Sequence, residues 1–332
     1  MRVSHRTIEL PLAEPFASNT GLTETVTQSV LALGWQGLTG YGTARTVEPG
    51  ELDACAPLLA GSTPFTLAHT LDRLAAAGTR AAVLAAVDLA LHDLLGKATG
   101  LPLHHLLGLA GLPLAPTALS LGSGSDEELA RKGRQLAEWP ILKLKLTPAD
   151  DGSRVGVLRA VYPGRIWVDG NGSWSAEQAV AVARELSRHD VELLEQPVAP
   201  GDLDALRYVG EHSSIPLVAD EDCVGPADIE RLRGIVDAVN IKLVKCGGLR
   251  RAQAMVTLAR QAGLRVMLGC KTESALGTTA MAQLAPLADH LDLDGHLDLP
   301  TDPFTGIRVD QGVITLPTAP GLGASASWPQ PL

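Results

Sequence analysis

The sequence predicts an α/β protein whose larger part is a closed barrel of parallel strands, preceded by a smaller antiparallel sheet and a helical stretch. Two observations carry the barrel. From about residue 116, eight short β-branched or Leu-rich runs alternate with helical segments. The polar residues near the ends of these runs also recur at even steps. Lys145 to Asp169 is 24 residues, Asp169 to Glu195 is 26, Glu195 to Asp220 is 25, Asp220 to Lys242 is 22, Lys242 to Cys270 is 28 and Cys270 to Asp292 is 22. Each step fits one strand, one helix and two loops, the unit of a parallel barrel. An open doubly wound sheet is the alternative, and eight regular units favour closure.

In chain order, residues 1–50 alternate in β fashion (TQSVLALGWQ, then LTGYGTARTV) and predict a small antiparallel sheet. From Thr66 to Lys97 the pattern is helical and rich in Ala and Leu, ending at Gly100 with Pro102 beyond it. The eight strand runs are TALSLG, ILKLKL, RIWVDG, VELLEQ, PLVADE, AVNIKLV, RVMLGC and HLDLDG. Segments such as SAEQAVAVARELSRH and RRAQAMVTLARQAG carry the intervening helices. A tail from about residue 300, with six prolines, is expected to return onto the N-terminal part. The division is 1–115, a barrel over 116–299, and the tail 300–332.

Composition narrows the function classes. With 45% hydrophobic and 19% charged residues in 332, the chain can bury a large core and is not disordered. A net charge of −10 and the absence of any basic run argue against nucleic acid. Cys55, Cys223, Cys246 and Cys270 form no CxxC pair, which suits a reduced cytoplasmic protein. Asp88, His92 and Asp93 interrupt the most apolar stretch, so no membrane span is expected there. The N-terminus lacks the apolar core of a signal peptide.

The chemistry is expected at the C-terminal ends of the barrel strands. Asp169, Glu195 and Asp220 end three successive runs: WVDGN, LLEQP and VADED. Three carboxylates converging at one rim repel unless a cation sits between them, and hard oxygen ligands suit Mg²⁺. The bland alternative is that each caps a helix or meets a surface arginine. Lys143 and Lys145 sit two apart in ILKLKL and so face the same side of strand two. Lys242 ends strand six in VNIKLVK, and Lys245 takes its place if the register differs. Buried lysines need carboxylates or a catalytic task. Strands two and six oppose each other in an eight-strand ring, so Lys145 and Lys242 would flank a substrate between them. One lysine can then remove a proton from a carbon and the other return one from the opposite face. A proton α to a carboxylate leaves only if a cation stabilises the resulting enediolate. The lysine base must be neutral near pH 7, and Lys143 or the metal can lower its pKa. A lysine base with Mg²⁺ is the pairing known from enolase-type sites.

On these motifs, with VDGNGSW, LLEQPV, VADED, VNIKLVKCGGL and the helical AVDLALHDLLGKATGLPLHHLLG, the chain resembles the enolase superfamily, in its muconate-lactonizing-enzyme subgroup, over nearly its whole length. The resemblance implies a (β/α)7β TIM-like barrel under an N-terminal α+β capping domain completed by the C-terminal tail. It also implies Mg²⁺ on Asp169, Glu195 and Asp220, one per subunit with Mn²⁺ as a substitute. Lys145 and Lys242 would be the acid/base pair, with Lys143 assisting Lys145 and the substrate carboxylate. Asp292 and Asp294 in HLDLDG share a strand face opposite Glu195 and resemble the D-x-D of dipeptide epimerases, which holds the substrate ammonium. One of them could instead merely cap or pair locally.

The expected reaction is epimerisation of a dipeptide, Ala-Glu or another, at its C-terminal α-carbon. The alternatives are an o-succinylbenzoate synthase or an N-succinylamino acid racemase, whose substrates carry no free ammonium. From another class, a non-catalytic barrel would have lost metal or lysine residues, and none is lost. Nothing between Arg6 and Arg45 is Lys or Arg, and the loop FASNTGLTET carries Glu24, which weighs against Ala-Glu. Lys271 in LGCKTES is either a substitute cation or a partner of Glu273. A homo-oligomer whose partner is only its small-molecule substrate is expected, with no nucleic acid and no membrane.

Overall fold

The alternation in the first 50 residues becomes three antiparallel strands in the computed structural model, which describes residues 1–18, 21–45, 47–122 and 124–327. They are β1 (Arg2–Ser18), β2 (Gly21–Trp35) and β3 (Leu38–Arg45), with β2 central. Val30, Leu31, Ala32 and Leu33 of β2 are buried, each large side chain worth roughly 1.5–3 kcal/mol of removal from water. β3 lies directly on the helix Ala81–Thr99. A Cβ on Gly42 would stand 1.9 Å from the Ala86 carbonyl oxygen, so this packing distance requires glycine there.

The helical tract expected to run unbroken from Thr66 to Lys97 is two helices, Leu67–Ala76 and Ala81–Thr99. Gly78 separates them with φ +78°, a left-handed conformation that ends a helix. Alanines flank the break on both sides, which is why periodicity did not reveal it. The second helix stops at Gly100 as expected.

The barrel strands are β4 (Leu119–Leu121), β5 (Ile141–Lys145), β6 (Arg165–Asp169), β7 (Val191–Glu195), β8 (Leu217–Ala219), β9 (Ala238–Ile241), β10 (Arg265–Gly269) and β11 (His290–Asp292). They pair in sequence order, all parallel. Closure comes from a parallel bridge between Thr117 and Leu291, with the Ala118 amide donating to the Leu291 carbonyl at 2.8 Å. Helices follow the first seven strands, and β11 leads straight into the tail, giving (β/α)7β. Local sequence starts several of these helices: Ser125 with Glu128, and Ser175 with Gln178, form capping boxes.

Inward positions on the strands alternate with outward ones. At the N-terminal end they form a dry floor of Ala118, Ile141, Trp167, Leu193, Val218, Ala238 and Met267. The eighth strand adds His290, whose ring meets Trp167 edge-on at 5.4 Å.

The tail packs on the N-terminal part as expected: Leu322 donates its amide to Asp93, and the Phe304 ring lies 5.9 Å from Tyr41. It also touches the floor end of the barrel, where the Thr117 amide donates to Gly312 at 2.8 Å. Residues 328–332 of the tail lie outside the described residues. The four cysteines are free. No helix among the described residues is long and apolar enough to cross a membrane.

Candidate active site

Two residues beyond each floor position the barrel interior turns polar. The ring there is Ser120, Lys143, Asp169, Glu195, Asp220, Asn240, Gly269 and Asp292, one from each strand or its end. Period-two alternation thus puts apolar residues in the floor and chemistry directly above it.

Lys143 stands in the middle of this ring, fully buried. Its Nζ lies 2.7 Å from Glu195 Oε2, 2.8 Å from Asp292 Oδ2 and 3.3 Å from Asp169 Oδ2. Lys145, on the same face of β5, donates to Asp169 Oδ2 at 2.8 Å and to Asn171 Oδ1 at 3.3 Å. Lys242, on the opposite wall, donates to Asp220 Oδ2 at 2.6 Å. It is the first residue beyond β9 rather than its last, yet it lines the cavity. Lys245 grips Asp220 from the turn that follows, reaching its Oδ1 at 2.5 Å and its carbonyl, and is not part of the cavity wall. The register therefore gives Lys242 the inward place.

The electrostatics show a surplus of carboxylate. Burial pushes Glu195 up to about 7 despite Lys143, with Asp169 and Asp220 adding to the rise. Burial also opposes ionisation of Asp169, but Lys145 and Lys143 hold its carboxyl below the usual range. Asp220 is held well below it by Lys242 and Lys245, again against burial. Burial disfavours the Lys242 ammonium, yet Asp220 and Glu195 keep it above its ordinary range. Asp292 Oδ1, Glu221 Oε2 and Asn240 Oδ1 are buried with no hydrogen-bond partner.

Among the described residues, no three acidic, imidazole or thiol side chains are arranged as metal ligands. The three strand-end carboxylates are instead each engaged by a lysine ammonium. Their chemistry still fits a hard divalent cation. All donors are oxygens, they project from three adjacent strands, and the orphaned Asp292 and Glu221 oxygens mark carboxylate that the lysines do not satisfy.

Above the ring lies a cavity of about 380 Å³, lined by Lys143, Lys145 and Lys242 and, at the eighth strand, by Asp292 and Asp294. Asp294 lies two residues past the end of β11 rather than on the strand, and accepts the Ser120 amide at 2.6 Å. Lys271 also lines the cavity, and no ion pair joins it to Glu273; Lys242 and then burial lower its pKa. From the N-terminal sheet, Phe16, Thr23 and Arg45 complete the wall. Asn19 and Thr20, in the loop that lacks a cation, lie outside the described residues.

Sequence reasoning missed several residues of the ring and the cavity above it. Asn171 bridges Lys145, Asp169 and Glu221. Asn240 donates to Glu195 Oε1 at 3.0 Å. Arg45 reaches the cavity across the domain boundary, where its guanidinium donates to the Thr272 carbonyl at 3.2 Å. Strand alternation alone would have found Asn240 and Ser120, whereas no local signal points to Arg45.

Two family models match the chain. One, described as the N-terminal domain of mandelate racemase/muconate lactonizing enzymes, covers residues 6–108, and one described as enolase C-terminal domain-like covers 126–329. The L-Ala-D/L-Glu epimerase of Bacteroides thetaiotaomicron is 35% identical, over 97% of this chain and 87% of its own. The hydrophobic dipeptide epimerase of Roseobacter litoralis is 34% identical over 98% and 99%. Among solved structures, the dipeptide epimerase of Enterococcus faecalis, complexed with Mg and L-Leu-L-Tyr, matches at TM-score 0.91 with 30% identity, over 98% of this chain and 99% of its own.

Proposed function

The chain belongs to the mandelate racemase/muconate lactonizing enzyme family of the enolase superfamily, and from that premise we propose that it epimerises a dipeptide at the α-carbon of its C-terminal residue. The observation that carries the reading is the arrangement of charge around one cavity. Three carboxylates stand on β6, β7 and the end of β8, a lysine on each side wall, and a second acidic pair, Asp292 and Asp294, at the eighth strand. The relatives named above as epimerases of dipeptides support the same class.

Asp169, Glu195 and Asp220 would hold Mg²⁺, which supplies a Lewis acid for the substrate carboxylate; Mn²⁺ would serve in its place. The substrate's C-terminal α-carbon then lies between Lys145 and Lys242, on opposite walls. With Asp169 and Asp220 committed to a cation, Lys145 and Lys242 would keep less of their carboxylate partners, and each ammonium would surrender a proton more readily. The lysine facing the α-proton takes it, and the other delivers one to the opposite face. Lys143 stays protonated among its anions and neutralises charge developing on the substrate carboxylate. Asp292 and Asp294 receive the substrate ammonium, which an N-acylated substrate lacks. A dipeptide spans roughly 7 Å at about 3.5 Å per residue, a reach that suits the cavity mouth. For an anionic side chain, Lys271 and Arg45 are the cavity-wall cations, among the described residues, that remain besides Lys143, Lys145 and Lys242.

The test is NMR-monitored epimerisation by metal-stripped and Mg²⁺-loaded enzyme, on a dipeptide panel and its N-succinyl counterparts. Activity should fall at least 100-fold on chelation, return with Mg²⁺ or Mn²⁺, and favour the free dipeptides. Full activity in stripped enzyme would sink the metal reading. Comparable kcat/KM for free and N-succinyl substrates would sink the ammonium site and favour a racemase of N-succinylamino acids.

A further inference from the structure

We propose that Asp88, on the helix Ala81–Thr99 of the N-terminal part, is a positioning residue that sets Lys242 through the turn joining it to the helix Leu249–Gln261. The proposal rests on the reading of Lys242 as one of the two proton-transfer groups. Asp88 is fully buried, far from the barrel's own carboxylates in sequence and facing none of the substrate cavity. Its Oδ1 accepts the Leu249 amide at 2.8 Å and its Oδ2 the Arg250 amide at 3.3 Å. It therefore caps a barrel helix from outside the barrel, satisfying two donors that a helix start leaves open. His92, one helical turn on, lies against Asp88, with Nδ1 2.9 Å from the Asp88 carbonyl oxygen and 3.0 Å from Oδ1.

The turn between Lys242 and this clamp is short and internally bonded. The Lys242 carbonyl accepts the amides of Lys245 and Cys246 at 3.0 and 3.1 Å, and the Leu243 carbonyl those of Gly247 and Gly248 at 2.9 and 3.0 Å. Gly248 has φ +107°, and a Cβ there would stand 2.5 Å from Asp88 Cβ and Cγ. The turn is thus pressed against Asp88 in a conformation only glycine adopts readily. One end of this rigid segment is fixed by β9 and the other by Asp88, so a displaced clamp moves Lys242 while leaving Lys145, four strands away, in place. Arg250 adds an exposed contact of its guanidinium to Asp72, which ties the same helix start to the N-terminal part a second time.

The experiment separates the two lysines. α-Proton exchange of each substrate epimer in D₂O is measured in Lys145→Ala, where only Lys242 acts, and in Lys242→Ala, where only Lys145 acts. Adding Asp88→Asn should lower the Lys242-driven exchange at least ten-fold with little change in KM, and alter the Lys145-driven exchange less than two-fold. Gly248→Ala, which crowds Asp88 from the other side, should give the same asymmetry and serves if Asp88→Asn does not fold. Equal loss in both backgrounds, no loss in either, or unfolding of both variants would overturn the proposal and leave Asp88 a structural cap. If neither single-lysine enzyme exchanges only one epimer, it is the two-lysine reading that fails.

Discussion

Asp292 and Asp294 leave the barrel two residues apart but stand in different electrical settings. Asp292 spends one oxygen on Lys143 at 2.8 Å and keeps the other buried without a partner. Burial, then the charge of Asp292, pushes Asp294 up to about 6. A cationic group between them would relieve both, and desolvated carboxylates of this kind bind an ammonium strongly because leaving either unpaired is costly. Asp294→Asn, or N-acetylation of a good dipeptide, should therefore cost on the order of 2–5 kcal/mol in transition-state binding, read as kcat/KM. Equal kcat/KM for the acetylated and free dipeptides would place the ammonium elsewhere. The neighbouring lysines divide in the same residue-by-residue way. Lys242 faces the cavity, whereas Lys245 braces the Asp220 carbonyl and carboxylate. Lys242→Ala should abolish epimerisation, while Lys245→Ala should weaken Mg²⁺ affinity and keep turnover at saturating metal. Normal epimerisation by Lys242→Ala would reverse these assignments.

At the scale of the strands, one rule builds both floor and site: an apolar residue inward, then a polar one two places on. This is why strand ends were legible in the sequence. ILKLK, RIWVD and VELLE each display a charged residue at the end of an apolar run, and a charge in that place is rare without a task. Ser120 and Asn240 obey the same rule but are neutral, so only the alternation, and no charge, marks them. The break at Gly78 and the clamp at Asp88 were illegible for other reasons, the first hidden by flanking alanines, the second set by a contact 161 residues away. The lysine–carboxylate pairings likewise depend on how eight strands converge, which no window of sequence contains. Gly269 is the ring's one position without a side chain. A Cβ there would stand 2.4 Å from Asn240 Oδ1 and 3.0 Å from Lys242 Cε. Gly269→Ala should cost about 1–3 kcal/mol by overpacking and lower kcat by displacing Lys242. Chemical denaturation and steady-state kinetics check the two effects, and a variant of wild-type kcat would show that Lys242 tolerates the displacement.

Across the whole molecule, the N-terminal part and the tail share one apolar cluster with the barrel, which includes Val30, Leu89, Phe304 and Leu322, and buried polar contacts fasten the same junction. Asp93 accepts the amides of Tyr41 and Leu322, both at 2.9 Å, and the Lys97 ammonium at 2.6 Å, joining sheet, helix and tail at one carboxylate. Nearer the cavity, the Gln28 side-chain oxygen takes the Ser274 amide at 3.0 Å and the Arg45 guanidinium donates to Thr272, so β2 and β3 together hold the loop after β10. Glu273 lies in that loop. Burial pushes its carboxyl up from 4.5 to about 7, although Arg45 pulls the other way. In the unfolded chain the group ionises near its ordinary value, so between about pH 4.5 and 7 the native state binds more proton than the unfolded one. Its contribution to stability is therefore complete below about pH 4.5 and is lost as pH rises through about 7. Glu273→Gln keeps the shape without the charge, so it should match the parent near pH 4 and exceed it near pH 8, by at most about 3 kcal/mol at 1.36 kcal/mol per pKa unit. Denaturation midpoints of both proteins across this range measure the difference directly and cancel every other titrating group. A difference that stays flat from pH 4 to 8, or that favours the parent at the alkaline end, would mean that Arg45 holds Glu273 ionised at the seam and that the contact between sheet and barrel is an ion pair.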